Sequence, residues 1–290
     1  PGSQPAYAIE QADGSFKVWG ETTFISGCHN STWCFMGAPI IEDSKPRLDK
    51  NGQPIFRMWF MHRSQWEIID NWDVAGLRGS GSHNVMANGA VVEARWYPVE
   101  LMRTPALYDN PVFRIPVPLR LSYNKVAIAL GIAKSALDTF CETANNKVPM
   151  MSASKMRERP IAQYRMAEMT AKYRAARALV FDAMGSVEHE LERGAERPGP
   201  EMTFDARLAC TYAAQACMEV VDVVHAACGT SASYMENPLE RKLRDAHGAA
   251  SHRWVAHPLY ETLGSILFGM EPDAEFSGKG GPVLGGLGKK

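Results

Sequence analysis

The chain has 290 residues, 46% of them hydrophobic, and a formal net charge of −1. That length suits about two domains. The near-zero charge excludes the electrostatic field that would hold nucleic acid or an anionic membrane. No apolar run approaches the roughly 18 residues that a membrane span needs.

The chain begins at Pro1, without Met or signal peptide, so an N-terminal segment is expected to be cleaved, disordered or not included. Residues 6–115 read as β structure. Strand-like runs at Phe16–Trp19, Thr32–Ile41, Phe56–Met61, Trp66–Ile69 and Asn84–Val92 are separated by Gly, Asn, Asp and Pro. Asp13-Gly14 signals a hairpin and Asp49–Pro54 a longer turn. Such spacings predict a small antiparallel β-barrel or a sandwich. Of the aromatic run Trp19, Phe24, Trp33 and Phe35, all but Phe24 are expected in its core.

Pro105, Pro111, Pro116 and Pro118 mark an extended linker, because proline lacks the amide donor and restricts the residue before it. Helical spacing follows at Leu121–Asn146, Arg157–Arg193, Phe204–Cys228, Pro238–Val255 and Tyr260–Gly269. The expected architecture is α+β: a β-barrel domain over 1–115, a four-helix bundle over 116–273 and a Gly-rich flexible tail over 274–290. Six cysteines lack any C-x-x-C spacing. They read as reduced, mostly buried thiols of a cytoplasmic protein, with Cys210 and Cys217 sharing a helix face.

Three stretches carry a resemblance. Gly20-Glu-Thr-Thr-Phe24-Ile-Ser26-Gly27 resembles the flavin-lining strand of the acyl-CoA dehydrogenase superfamily, in the W-x-F-x-S-G form of its flavin-dependent monooxygenase branch. Trp72-Asp-Val-Ala-Gly-Leu-Arg78-Gly-Ser80-Gly-Ser82-His83 is similar to that branch's W-x-V-x-G-x-R-G-[ST]-G-S segment. Pro238-Leu-Glu-Arg-Lys-Leu-Arg244-Asp245-Ala246 resembles P-x-E-R-x-x-R-D-A, which opens the last bundle helix. The resemblance runs from about Gly14 to Asp273. It implies that the family's N-terminal helical domain is not in this chain.

Departures from the dehydrogenase pattern set the expected chemistry. Arg253 stands where many dehydrogenases place a catalytic glutamate, and a guanidinium is no base near neutral pH. The R-x-x-F-G phosphate motif is absent before Arg159-Pro160, and Q-x-x-G-G is reduced to Cys228-Gly229-Thr230. The resemblance implies a two-component monooxygenase of the group D type. It would take reduced FAD or FMN from a separate flavin reductase and oxidise an aromatic, polycyclic or heteroatom small molecule. Phe24, Ser26, Gly27, Arg78, Ser80, Gly229 and Thr230 would contact the cofactor, with Ser26 near flavin N5. His252 would hydrogen-bond or protonate the peroxide formed from reduced flavin and oxygen, or deprotonate the substrate. A homotetramer is implied.

Other readings stay open on the residues alone. His252 could be an ordinary helix-surface histidine. His247, His252 and His257, five apart, do not match the i, i+4 pair of a zinc helix, so no metal is expected. Gly79–Ser82 could be a tight strand turn, Arg78 a surface partner of Asp73 or Asp70, and Arg244 with Asp245 a structural pair. An acyl-CoA dehydrogenase using Glu142 or Glu219 as base is one alternative. A catalytically silent partner subunit is another.

Overall fold

A computed structural model describes residues 5–93, 96 and 108–270. Among these, the chain divides into two compact units, one of residues 5–74, 78–93 and 96, the other of residues 75–77 and 108–270.

The first unit is built from β1 (Tyr7–Glu10), β2 (Phe16–Thr22), β3 (Trp33–Pro39), β4 (Ile41–Glu42), β5 (Lys45–Pro46), β6 (Phe56–His62), β7 (Trp66–Ile69) and β8 (Asn84–Val92). The Asp13-Gly14 hairpin joins β1 to β2, with the Ser15 amide on Asp13 Oδ1 at 2.9 Å. Asp49 Oδ1 caps the longer turn by accepting from the Asn51 and Gln53 amides.

The strands do not close into the expected barrel. They form a four-stranded antiparallel sheet in the order β1-β2-β8-β7, a separate pair β3-β6 and the small hairpin β4-β5, with no closed barrel among the described residues. The two larger sheets each bury one face in a common core that includes Val18, Val85, Met36 and Trp59. Phe16 from one sheet meets Trp59 from the other at 4.7 Å between ring centroids. Period-two alternation dictates a buried face for each strand but not which neighbour it pairs with.

That alternation also corrects the aromatic core. Cys34, Met36 and Ala38 point inward, so Trp33 and Phe35 point outward and are 47% and 48% exposed. Across the β3-β6 register Phe35 faces Phe60, and Trp33 faces His62. Trp19 stacks on Tyr7 at 5.6 Å.

The second unit holds α1 (Pro111–Arg114), α2 (Val117–Asn146), α3 (Pro160–Glu192), α4 (Pro200–Cys228), α5 (Pro238–Ala250) and α6 (Leu259–Leu267). Helices α1 to α5 each carry proline in the first turn, where its missing N–H would have had no intrahelical partner. The proline-rich stretch is therefore helical from Pro111 onward, apart from the break at Ile115 and Pro116, rather than one extended linker. Pro105 and the tail after Asp273 lie outside the described residues.

Small residues line the inner helix faces, Ala129, Ala133 and Ala136 on α2 with Ala206, Ala209, Ala213 and Ala216 on α4. They let the helices approach closely, while Phe140, Met169, Leu191, Val220 and Leu239 fill the space between them. Burying each of the larger side chains contributes roughly 1.5–3 kcal/mol. Cys210 and Cys217 lie fully in this core, where burial pushes both thiols up to about 12. None of the helices described is long and apolar enough to cross a membrane.

Candidate active site

In the first unit, β2 ends at Thr22 and the chain turns sharply. Phe24 adopts φ 61, a left-handed conformation that bulky residues rarely take, and its ring is 70% exposed. Trp72 meets that ring edge-on at 6.0 Å. The turn is laced to the loop 78–83: the Ile25 amide donates to the His83 carbonyl at 3.0 Å, the Gly27 amide to the Ser80 carbonyl at 2.8 Å, and Cys28 Sγ to the Gly81 carbonyl at 3.4 Å.

A chain of hydroxyls joins the same segments. Ser82 Oγ, on a residue only 6% exposed, lies 2.7 Å from Ser26 Oγ and 2.8 Å from Ser80 Oγ. A hydroxyl has one proton, so Ser82 can donate to only one of its two neighbours. When Ser80 donates to Ser82 and Ser82 to Ser26, the exposed Ser26 hydroxyl has its proton available to an outside acceptor.

His83 braces this loop from behind, where Nδ1 accepts the Asn71 and Trp72 amides, both at 3.1 Å. That atom carries no proton, so the Asp70 carboxylate 3.2 Å away is a neighbour rather than a hydrogen-bonded partner.

The expected cofactor residues of this unit therefore separate. Phe24, Ser26, Gly27 and Ser80 come together. The Gly27 amide is already engaged by Ser80, so Gly27 supplies shape rather than a donor. Arg78 is exposed, donates to the Val74 carbonyl at 3.1 Å and lies 3.6 Å from Asp73, which is the surface pairing. Loop 78–83 opens with a 3-10 turn over Arg78–Ser80, and Gly81 takes φ 49.

In the second unit, the R-D motif of α5 holds Ala75–Leu77. Asp245 Oδ1 accepts the Leu77 amide at 2.6 Å, and Arg244 Nη1 donates to the Ala75 carbonyl at 2.5 Å. Arg244 is itself fixed by a two-point contact with Glu240 at 2.7 Å. The pairing is thus to the loop and to Glu240, rather than between Arg244 and Asp245. Gly76 is required here, since a Cβ would come within 2.0 Å of the Arg244 carbonyl oxygen.

Helix α5 stops at Ala250, five residues before its expected end, so His252 sits in a turn rather than on a helix. Its Nδ1 accepts the Trp254 amide at 3.3 Å. Burial, reinforced by the Lys125 ammonium, lowers its pKa to about 4. The imidazole is therefore neutral at neutral pH, with its proton on Nε2.

The next turns are tightly held. Ser122 Oγ donates to the Trp254 carbonyl at 2.9 Å, Gln215 Nε2 to the Ala250 and Val255 carbonyls at 3.1 and 3.0 Å, and the Arg207 guanidinium stacks 5.3 Å from the Trp254 ring. Sequence reasoning missed these supports. A lone Gln and a buried Arg in the Ala- and Cys-rich α4 were the available signal.

Gly229 ends α4 at φ 65 and Thr230 is exposed in the 3-10 turn that follows. They lie at the opposite end of α5 from His252. That helix has 13 residues, about 20 Å at the α-helical rise. Lys147 secures the Gly229 end through the Cys228 carbonyl at 2.6 Å and Ser231 Oγ at 2.7 Å. Among the described residues, no group of three His, Cys, Asp or Glu side chains is placed to hold a metal.

The model of the acyl-CoA dehydrogenase C-terminal domain matches residues 124–257. The chain is 31% identical to an indole-3-acetate monooxygenase of Pseudomonas putida, over 92% of this chain and 66% of that protein. It is 29% identical to the oxygenase component of p-hydroxyphenylacetate 3-hydroxylase of Acinetobacter baumannii, over 93% and 64%. The crystal structure of the HsaA monooxygenase from M. tuberculosis superposes with a TM-score of 0.78 at 26% identity, covering 92% of this chain and 69% of that one. The chain spans about two thirds of the length of the curated relatives it matches.

The fold is that of the acyl-CoA dehydrogenases. The chain belongs to the acyl-CoA dehydrogenase superfamily and, within it, to the flavin-dependent monooxygenase branch.

Proposed function

We propose that this chain is the oxygenase component of a two-component flavin-dependent monooxygenase acting on an aromatic small molecule. One observation carries the reading: the Phe24–Gly27 turn is locked to the Gly79–Ser82 loop, and this one turn carries both an exposed ring, Phe24, and an exposed hydroxyl, Ser26, hydrogen-bonded to Ser82. The residues fit a flavin. Phe24 offers a flat apolar surface and Ser26 a directed donor for a ring nitrogen. Reduced flavin supplies the two electrons that activate oxygen, one atom going to the substrate and the other to water.

The chain's own residues do the rest. Ser82 sets the direction of the Ser26 proton. His252, neutral and protonated on Nε2, acts as a hydrogen-bond donor near neutral pH rather than as an acid. Gly229 and Thr230 are assigned to the cofactor's phosphate end and Ser80 to the border of the ring, while Arg78, exposed and held by Asp73 and the Val74 carbonyl, is not. FAD or FMN is supplied by a separate reductase. We take α2 to α5 as the four-helix bundle of the family, in a β domain to residue 115 and a helical domain to residue 273, assembled as a homotetramer. Six free cysteines, five of them buried, support a reducing cytoplasm.

The test is turnover under ¹⁸O₂ with a flavin reductase and a panel that includes indole-3-acetate and p-hydroxyphenylacetate. One labelled oxygen in an aromatic product supports the reading. Conversion of all the oxygen to hydrogen peroxide across the panel contradicts it. The dehydrogenase alternative has little support, because Glu142 is exposed and Glu219, also exposed, is paired with Lys172.

A further inference from the structure

We infer that Gln215 is a positioning residue for His252, holding the turn that carries the imidazole through both protons of its side-chain amide. The inference rests on the role of His252 proposed above. Gln215 sits on α4 beside Ala213, Ala214, Ala216 and Cys217, all buried and apolar. Gln215 itself is part-buried, and the amide protons it turns toward the protein are both bonded.

Its Nε2 donates to the Ala250 carbonyl at 3.1 Å and to the Val255 carbonyl at 3.0 Å. Two carbonyl partners fix the amide's orientation, since the oxygen could not face them. The Ala250 carbonyl belongs to the last residue of α5 and has no helical donor of its own. Gln215 thus ends the helix at Ala250 and brackets the six residues 250–255, with His252 inside the bracket. Within it, the Val255 amide donates to the His252 carbonyl at 2.8 Å. From α2, Ser122 pins the Trp254 carbonyl at 2.9 Å.

The charged and titratable groups around the turn are Lys125 on α2, Arg207 on α4, His247 at the end of α5, Arg253 and His257 in the turn, and Tyr260 on α6. Replacing Gln215 alters none of them directly.

The experiment is amide exchange and histidine titration by NMR on the protein without flavin, with His252 assigned by its loss in His252→Gln. In Gln215→Leu the Val255 amide should exchange about tenfold faster, as expected for two lost hydrogen bonds. The His252 titration should move up toward the ordinary 6.5. An unchanged far-ultraviolet circular dichroism spectrum and a single cooperative melt should report an intact fold.

Unchanged Val255 exchange and unchanged His252 titration in the folded variant would overturn the inference. If Gln215→Leu does not fold, Gln215→Asn, whose shorter arm cannot span both carbonyls, is read by the same two criteria. Neither readout uses flavin or substrate. Failure of the proposed role of His252 would appear instead as wild-type turnover in His252→Ala, and failure of the oxygenase reading as peroxide release alone; either would leave the turn measurement standing.

Discussion

Ser82 shows how a single buried hydroxyl can organise an exposed one. Both of its hydrogen-bonding neighbours, Ser26 and Ser80, belong to the candidate site, yet Ser82 itself is the buried member. Ser82→Ala removes two neutral hydrogen bonds at about 1 kcal/mol each. It should therefore cost about 1–2 kcal/mol in equilibrium unfolding and raise the fraction of oxygen released as hydrogen peroxide. Ser80→Ala, which leaves the Ser26–Ser82 bond, should raise that fraction less. Equal effects of the two variants would remove the directional role of Ser82.

His252 makes a second prediction at this scale. Its folded value, about 4, lies below the ordinary 6.5. As pH falls, the unfolded chain binds the proton first, so stability is lost between about 6.5 and 4. His252→Gln should flatten this part of the melting-temperature profile against pH, and a profile that superposes on the wild type would deny the shift. The sequence motif pointed to His252, but its protonation state depends on burial and on Lys125, which no motif encodes.

At the scale of elements, the boundary between α5 and its neighbours is where reading and structure part. Pro238 announced the helix start correctly, and Asn237 caps it through the Leu239 amide at 2.9 Å. The end lies five residues earlier than expected: Gln215 on α4 takes the Ala250 carbonyl that closes the helix and the Val255 carbonyl beyond it, tertiary contacts with no local signature. The starts of α3 and α4, at Pro160 and Pro200, carried the same proline signal as Pro238.

The β region was legible in five of its strands, β2, β3, β6, β7 and β8, but not in its sheets. Trp66–Ile69 and Asn84–Val92 fall on β7 and β8, whereas pairing of β3 with β6 alone is a long-range choice.

Gly76 is the sharpest test of an element contact. Gly76→Ala drives a Cβ into the Arg244 carbonyl and should cost about 1–3 kcal/mol, as overpacking does. Asp245→Ala, which removes the hydrogen bond from the Leu77 amide, should cost about 0.5–1.5 kcal/mol. Denaturant unfolding of both variants checks this, and wild-type midpoints would show that α5 does not depend on Ala75–Leu77.

For the whole molecule, the α+β layout and the family were legible because three motifs survive in order along the chain, each tied to a geometric need: the strained turn at Phe24, the close approach at Gly76 and the Arg244–Glu240 fork. The substrate was not legible, because pocket walls are assembled from residues without sequence proximity. The proposed homotetramer predicts elution of the purified protein at about four times the 32.0 kDa chain mass, and elution at monomer mass would contradict it.

The central claim is that this fold directs reduced flavin and oxygen toward a substrate instead of letting them form hydrogen peroxide freely. The most direct measurement mixes the protein, loaded anaerobically with reduced flavin, with oxygenated buffer and follows oxygen consumption and hydrogen peroxide release together. Oxygen should disappear well before peroxide appears, with the delay shortened in Ser82→Ala. Simultaneous oxygen loss and peroxide release, as for free flavin, would contradict it.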